Sequence, residues 1–517
     1  MKFLNLVAIL LCLVCILTAC KSPKTPIDVN AVKIVLNDND ITVDGESAST
    51  QDTDAVYTAN DIIYYEEGKD FTYGEGGYGD AHSAEEAAAH TVVHITKAGT
   101  YSLTGKLSQG QIAIDLGEDA KKDETAVVTL ILNNLDITCT VAPAVIFYNV
   151  YECGNTDADK ATKDVDTTKA GANVIIADGT TNTVNGAYVE KIYKPDTLVF
   201  NQDKTKVEDA KKLHKYDGAF YSKMSMNIDG EGTLNIRAAN EGLDSELHLT
   251  INGGTININS ANDGINTNED NVSVTTVNGG IVNIVCNGQT GEGDGIDSNG
   301  WLVINGGIVL ASACSTSADS GIDSDKGIHI NGGTVIASGN MLDRIEDGGQ
   351  TYAVFSFANR QDGKTPIILK DRRNNDVTKI AQSNAYQVLV YSSAKLKKGN
   401  YTLWANDKQL AGQSGSVTGG MQQGGMQRPA DFPQGERPQF NPDEMPQMPN
   451  GATPPDFQKG EMPELPEGDF PEKPQGERPN FQNGDFGQFF EQSTSELSTE
   501  FKIVKGGNIF SRITLAE

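Results

Sequence analysis

The chain has 517 residues and a formal net charge of −29 at pH 7, from 70 acidic and 41 basic side chains. Nucleic-acid binding needs a concentrated basic surface, so this balance argues against a nucleic-acid partner. The acidic excess suits cation binding, although solubility alone would also account for it. The length allows two or three ordinary domains or one long repeat structure.

The chain opens with a short basic and apolar segment that ends at a cysteine. Lys2 precedes an apolar run from Phe3 to Leu17, and Leu17-Thr18-Ala19-Cys20 follows. This pattern resembles a bacterial lipoprotein signal, which implies removal of residues 1–19 and a lipid on Cys20. The run is short for a spanning helix, so a plain membrane anchor fits less well. We therefore predict an exported protein held at the cell envelope or surface by its lipid alone, with a linker over residues 20–30.

Short apolar runs separated by turn residues occupy the region from residue 31 to about 223. They predict irregular early β-coils with polar insertions. Gly74-Glu75-Gly76-Gly77-Tyr78-Gly79 formally matches GxGxxG, but no βαβ unit surrounds it. We interpret it as a loop that leads into a short helix within 83–90.

A repeat dominates the next region, about residues 224–340. The first Gly of an Asn-Gly-Gly motif recurs after steps of 26, 27 and 26 residues, at Gly253, Gly279, Gly306 and Gly332. A fixed step of this size marks a solenoid. The flanking residues are β-branched with period two, which predicts strands joined by tight turns. The pattern favours a parallel β-helix; evenly spaced hairpins of a β-sandwich are the alternative, although sandwich strands do not repeat their side chains.

A second motif recurs out of phase with the first and carries acids. It reads Glu-Gly-Leu-Asp-Ser, Asp-Gly-Ile-Asn-Thr, Asp-Gly-Ile-Asp-Ser and Ser-Gly-Ile-Asp-Ser, beginning at Glu241, Asp263, Asp294 and Ser320. With the Leu or Ile pointing into the core, the acids should lie on the opposite, outer side of each turn. Stacking then places Asp244, Asn266, Asp297 and Asp323 in one column. Glu241, Asp263 and Asp294 form a second column, and we add the neighbouring Asp325 to the candidate ligands.

Like charges on adjacent coils, about 4.8 Å apart, repel by roughly 3 kcal/mol at an effective dielectric constant near 20. A hard divalent cation relieves such repulsion, and Ca²⁺ accepts six to eight oxygen ligands. We therefore predict Ca²⁺ on the acidic columns. The alternative is that Asp and Asn here only form side-chain turns.

Beyond the repeat, residues 350–413 are again strand-like, and we place the whole β-helix domain at 31–413. Residues 414–490 are dominated by Gly, Pro, Gln, Met and acids, a composition that predicts disorder. Residues 491–517 predict a hairpin that could cap the last coil, since an open end would be an exposed edge.

Four cysteines remain after Cys20: Cys139, Cys153, Cys286 and Cys314. Export permits disulfides, and the first two are close enough in sequence to pair. The last two fall one residue out of register on consecutive coils. We favour either of two interpretations over disulfides: all four are small buried side chains, or they stay reduced in an anaerobic host.

Several motifs together resemble a family of bacterial cell-surface carbohydrate-binding domains. They are the Gly-Ile-Asp-Ser and Ile-Asn-Gly-Gly-Thr-Val repeats, the segment 98–105 (Ala-Gly-Thr-Tyr-Ser-Leu-Thr-Gly), and Asn340-Met341-Leu342-Asp343, within about residues 90–410. The resemblance implies a right-handed parallel β-helix, similar in shape to pectate lyases, that binds calcium and recognises cellulose or polygalacturonate. It implies calcium ligands at Asp244, Asp263, Asp294, Asp297 and Asp323. The chain departs from the pattern at Asn266, at Ser320 and in the 31-residue step from Gly264 to Gly295, which puts a complete ladder in question.

Three functions remain open. The first is calcium-assisted binding of plant cell-wall polysaccharide by a monomer, with Trp301, Tyr352 and Phe357 as candidates for stacking on sugar rings. The second is a polysaccharide lyase, which would need a base such as Arg237, Arg344 or Lys326 beside the metal. The third is an adhesin or envelope scaffold that binds no sugar. We expect the first, and hence no enzyme.

Overall fold

The computed structural model describes residues 30–415 and 496–516. The predicted signal peptide, the predicted lipid-attachment residue Cys20 and almost all of the predicted disordered segment lie outside these residues. Within the described ranges the regular secondary structure is almost entirely β-strand, as predicted, with one α-helix, α1 (Ala84–Ala88). Ser83 caps α1 by accepting the Glu86 N–H at 3.2 Å, so the Gly-rich loop does lead into a short helix. No helix in the described residues has the length and apolarity needed to cross a membrane.

The early coils pair mainly in parallel. The strands are β1 (Val32–Leu36), β2 (Thr42–Val43), β3 (Glu46–Ser47), β4 (Val56–Ala59), β5 (Thr91–Ile95), β6 (Gly99–Leu107), β7 (Gly110–Asp115), β8 (Val128–Cys139), β9 (Val145–Asn149), β10 (Ala172–Ile176) and β11 (Thr181–Gly186). Strand β6 pairs in parallel with β1 and β8, β8 with β10 and β11, and β7 with β5 and β9. Short 3₁₀ turns cover Tyr78–Asp80, Glu118–Lys122 and Pro195–Thr197.

An arm of two antiparallel ribbons interrupts the coils before the repeat begins. One ribbon joins β12 (Val189–Tyr193) to β15 (Lys212–Tyr216), and the other joins β13 (Val199–Phe200) to β14 (Val207–Asp209). The arm contacts the Gly-rich loop, because the Glu75 N–H donates to the Lys191 carbonyl at 2.9 Å.

The regular region places its strands in three parallel stacks. Stack I contains β17 (Met226–Gly230), β20 (His248–Ile251), β23 (Val274–Val277), β26 (Trp301–Ile304) and β28 (Gly327–Ile330). Stack II contains β18 (Thr233–Ala238), β21 (Thr255–Ser260), β24 (Ile281–Cys286), β27 (Ile308–Ser312) and β29 (Thr334–Gly339). Stack III contains β16 (Gly218–Ser222), β19 (Glu241–Ser245), β22 (Ile265–Thr267) and β25 (Ile296–Ser298).

Like side chains stack directly on one another inside the coils. In stack II, Ile256, Val282, Val309 and Val335 pair in register, and all four are fully buried. Each such side chain contributes about 1.5–3 kcal/mol by leaving water. The Asn-Gly-Gly turns adopt positive φ at the second Gly, for example 75° at Gly280, as a tight turn between strands requires.

The chain after residue 350 differs from the predicted single solenoid. Its strands pair chiefly antiparallel and enclose a separate core that includes Phe355, Leu403 and Phe510. The strands are β30 (Tyr352–Gln361), β31 (Ile367–Asp371), β32 (Asp376–Ile380), β33 (Tyr386–Ser393), β34 (Gly399–Ala405), β35 (Lys408–Gly415), β36 (Phe501–Ile503) and β37 (Gly507–Leu515). The two C-terminal strands pair with β34 and with β30 and β35, respectively. The last coil is covered by β33, which pairs antiparallel with β29.

The four cysteines in the described residues are free. Cys139, Cys286 and Cys314 are buried, and Cys153 is half-buried.

Candidate functional site

The acidic motifs meet on stack III, in the register that the repeat predicts. Asp244 pairs with Asn266, and Asn266 pairs with Asp297. The preceding Leu243 and Ile265 are fully buried in the core, so alternation directs the acids to the opposite side of each strand. Asp323 extends this column, since its N–H donates to the Ile296 carbonyl at 2.7 Å.

The second column is tied together by hydrogen bonds between coils. The Asp294 N–H donates to Asp263 Oδ1 at 2.7 Å, and the Ser320 N–H donates to Asp294 Oδ1 at 2.5 Å. The Gly242 N–H donates to the Asp263 carbonyl at 3.0 Å, which places Glu241 one coil below. The repeat therefore brings together Glu241, Asp263 and Asp294 as well.

One residue from each column, Glu241 and Asp244, lies beside a third acid, Asp217, that the sequence did not predict as a ligand. Oxygens of Asp217, Glu241 and Asp244 all lie within 4.8 Å of one another, and the three residues are at most 5% exposed. Lys215 offsets part of this charge, with its Nζ 2.5 Å from an Asp217 oxygen. The available signal was the Asp217-Gly218 pair, one coil before Glu241-Gly242. This pair is out of step with the repeat: Gly218, rather than Asp217, pairs with Glu241, so the Asp-Gly motif of this coil is shifted by one residue.

Burial of these acids was not predicted, because the columns were expected on an outer surface. The arm lies next to these acids, because Lys215 is near the end of β15. The positive charge of Lys215 stabilises the ionised form of Asp244. Asp263, Asp294, Asp297 and Asp323 are half-buried. Asp325 is exposed.

Several oxygens of this region have no hydrogen-bond donor among the described residues. They are Asn240 Oδ1, Glu241 Oε2, Asp244 Oδ2, Asn262 Oδ1 and Asn266 Oδ1. Every one is an acceptor, and a buried polar atom without a partner requires an explanation such as an ion or an ordered water. Carboxylate and amide oxygens are the ligands that Ca²⁺ prefers, so this donor set fits that ion.

Electrostatics in the protein alone disfavour full ionisation of the columns. Burial, and then the Glu241 carboxylate, raise the pKa of Asp244 well above its ordinary value. Burial and Asp217 raise the pKa of Glu241 to about 8. Burial followed by neighbouring carboxylates likewise raises the pKa of Asp263 and Asp294. A bound cation would reverse this penalty by stabilising the ionised forms.

Asp343 is a further acid that the sequence argument did not assign. One of its oxygens accepts the Ser324 N–H at 3.0 Å. Burial, and then Asp343, raise the pKa of Asp323 to about 9. Asp343 follows the repeat in a loop, so its position depends on tertiary packing rather than on the repeat step.

A family-model comparison supports carbohydrate binding. A family model described as "Carbohydrate-binding domain-containing protein" matches residues 89–421. The chain belongs to this carbohydrate-binding family. Family membership supports polysaccharide binding, and it favours a binding protein over an enzyme.

The structural comparison is weaker. A polysaccharide lyase-like protein from C. thermocellum, solved as a gadolinium derivative, is 19% identical with a TM-score of 0.36. The alignment covers 59% of this chain and 90% of that one, and a score this low carries no further argument. No curated protein matches the chain.

For a carbohydrate-binding protein, the three predicted aromatic contacts have different surroundings. Trp301 is half-buried, and Lys326 Nζ lies 5.3 Å from its ring centroid. Tyr352 is 7% exposed and donates its hydroxyl to the Ile345 carbonyl at 3.1 Å. Phe357 is 2% exposed and packs against Tyr386. The latter two rings belong to the core, which leaves Trp301 as the predicted aromatic that a sugar can reach.

Two of the three bases considered for a lyase contact other side chains or backbone groups. Arg344 donates to the Lys326 carbonyl at 2.6 Å and pairs with Glu346 at 2.7 Å. Lys326 lies over Trp301. Arg237 belongs to stack II, whereas the acids belong to stack III.

Proposed function

We propose that this chain is a calcium-dependent carbohydrate-binding lipoprotein that recognises acidic or cellulosic plant cell-wall polysaccharide at the bacterial cell surface. The three parallel stacks would form a right-handed parallel β-helix. The lipid on Cys20 would be its membrane attachment, and the folded domain would act as a monomer.

The observation that carries the calcium proposal is the set of unpartnered acceptor oxygens between Asn240 and Asn266. Hydrogen-bond donors could satisfy such atoms, but the nearby charged donor, Lys215, already pairs with Asp217. The remaining lone pairs face several carboxylates on adjacent coils. A divalent cation would satisfy the oxygens and offset the repulsion in one step.

Two roles for calcium follow from the burial of the ligands. Glu241 and Asp244 are at most 5% exposed, so an ion there would hold successive coils together. Asp263, Asp294, Asp297 and Asp323 are half-buried, so an ion there could keep a coordination position open to solvent. A uronate carboxylate could complete that position. Calcium would then support binding both by stabilising the coils and by direct contact.

The test is retention on immobilised polygalacturonate and on cellulose, measured with calcium and after chelation. Absorbance of unsaturated product is followed in the same samples. We expect retention that is lost on chelation, with no product. Product formation would favour the lyase, and absence of retention on every polymer would favour a scaffold.

A further inference from the structure

A groove lies on the outer face of stack I, away from the acidic columns. It encloses about 750 Å³ between the strands and the loop of residues 163–168. We propose that this groove, here called the asparagine groove, binds an uncharged polysaccharide chain that runs along the stack. The inference rests on the proposed function and adds the location and charge preference of the sugar site.

The floor of the groove is a ladder of identical side chains, one from each Asn-Gly-Gly turn. Asn278 Nδ2 donates to Asn252 Oδ1 at 2.9 Å, Asn305 to Asn278 at 2.9 Å, and Asn331 to Asn305 at 2.8 Å. A primary amide has two N–H donors and two acceptor lone pairs. Each inner rung therefore retains one donor and one acceptor, and all four side chains are exposed. A sugar hydroxyl can use both groups.

A second row of small polar groups runs beside the ladder and fixes the wall of the groove. Asn227, Thr250 and Thr276 pair in register on consecutive strands. The wall docks on this row, because Thr167 donates its hydroxyl to Thr250 Oγ1 at 2.7 Å and its carbonyl accepts from Asn227 Nδ2 at 2.7 Å. Asn227 Oδ1 is buried without a donor in the described part of the chain. Two hydrogen bonds from this row therefore hold the wall of the groove in place.

The spacing and one aromatic ring favour a linear polymer. Coils repeat about every 4.8 Å, so the same amide is offered at regular intervals along the stack. In β26, Leu302 and Ile304 are fully buried, which puts Trp301 and Val303 on the outer side. Val303 lines the groove, and the half-buried Trp301 is two residues away. Its indole face can pack on the apolar face of a pyranose ring.

The charges in the groove disfavour a polyanion. Lys163 is paired with Asp164 at 2.6 Å, and Asp166 and Asp229 add further carboxylates to the lining. One cation thus stands against three acids. A uronate chain would be repelled, whereas an uncharged glycan would not.

The test measures cellohexaose and trigalacturonate binding by isothermal titration calorimetry in calcium buffer. The variant is the double substitution Asn278→Leu and Asn305→Leu, and Asn283→Leu is the matched control. Asn283 stands at an outward, half-buried position on β24 in stack II, outside the groove lining. Thermal melting of each variant verifies folding.

We expect the wild type to prefer cellohexaose and the double variant to lose about tenfold in affinity, as expected for two lost hydrogen bonds. The control should bind like the wild type. Trp301→Ala, which leaves the ladder in place, should also weaken binding and keeps the test decisive if the double variant does not fold. Unchanged cellohexaose affinity in these variants would overturn the groove but leave the proposed function standing. Binding of trigalacturonate alone would do the same, whereas no binding of either sugar would count against both.

Discussion

Substitution of Asp244 offers a test in which calcium should reverse the sign of the mutation's effect on stability. Its side chain is fully buried, and Asn268 Nδ2 donates to one carboxylate oxygen at 2.8 Å while the other has no donor in the described residues. Asp244→Asn preserves the shape and removes the charge. Without metal this relieves repulsion, but with calcium it removes a ligand.

The structure sets the size of the effect. Oxygens of Asp217, Glu241 and Asp244 approach one another within 4.8 Å. At an effective dielectric constant near 20, each ionised pair at that distance repels by about 3 kcal/mol. The charge of Lys215 offsets part of this repulsion, so we expect a gain of at most about 3 kcal/mol in the metal-free protein. The gain should grow as the pH rises above the Glu241 pKa of about 8, because the repulsion requires both carboxylates to be ionised.

Urea denaturation in EDTA and in excess calcium measures both states. Asp244→Asn should raise the free energy of unfolding in EDTA and reduce the additional stability conferred by calcium. The control is Asp203→Asn in an exposed loop, which should change neither value by more than about 0.5 kcal/mol. Destabilisation in EDTA, or an equal effect with and without calcium, would refute the reasoning.

Three further outcomes follow from the same structure. Glu241 and Asp323 have folded-state pKa values of about 8 and 9, above their unfolded values near 4. Their stabilising contribution is therefore present at low pH and lost as the pH rises through the folded values. The melting temperature in EDTA should be higher at pH 6 than at pH 9, and a calorimetric melting temperature that does not change with pH would contradict this. Gly280→Ala adds a Cβ 2.5 Å from the Gly254 carbonyl oxygen of the preceding coil at φ 75°, so it should cost more in urea denaturation than Gly179→Ala, where φ is 72° and no atom lies within 4 Å. Strain at positive φ alone costs about 1 kcal/mol, and equal costs for the two variants would rule out the clash. Burial raises the pKa of the Cys286 thiol, which should resist Ellman's reagent until the protein unfolds, so rapid labelling of the native protein at this residue would argue against its burial.

The repeat predicts most of the middle of the fold because its step fixes the register. Once the Gly-Gly pairs align, the pairing of Asp244 with Asn266 and of Asn266 with Asp297 follows, and the structure has both pairs. The same logic stops at residue 350. Alternating polarity there indicates strands, but it carries no information on whether β33 pairs parallel or antiparallel with β29 and β30.

The site was less predictable because its environment comes from distant parts of the chain. Burial of Asp244 depends on its surroundings outside the repeat, and Asp217 belongs to a coil whose motif is shifted by one residue. Tyr352 and Phe357 were predicted as contacts from residue type alone, whereas the packing of the C-terminal strands buries both rings. The asparagine ladder was visible in the sequence as turns, but the groove exists only because the loop of residues 163–168 crosses that face.

Calcium titration of chelator-treated protein by isothermal calorimetry tests the central claim most directly. The account predicts saturable binding of at least one ion per chain. It also predicts that this binding is lost or strongly weakened in a variant carrying Asp217→Asn, Glu241→Gln and Asp244→Asn. No binding heat at any temperature, together with a melting temperature that EDTA leaves unchanged, would contradict it.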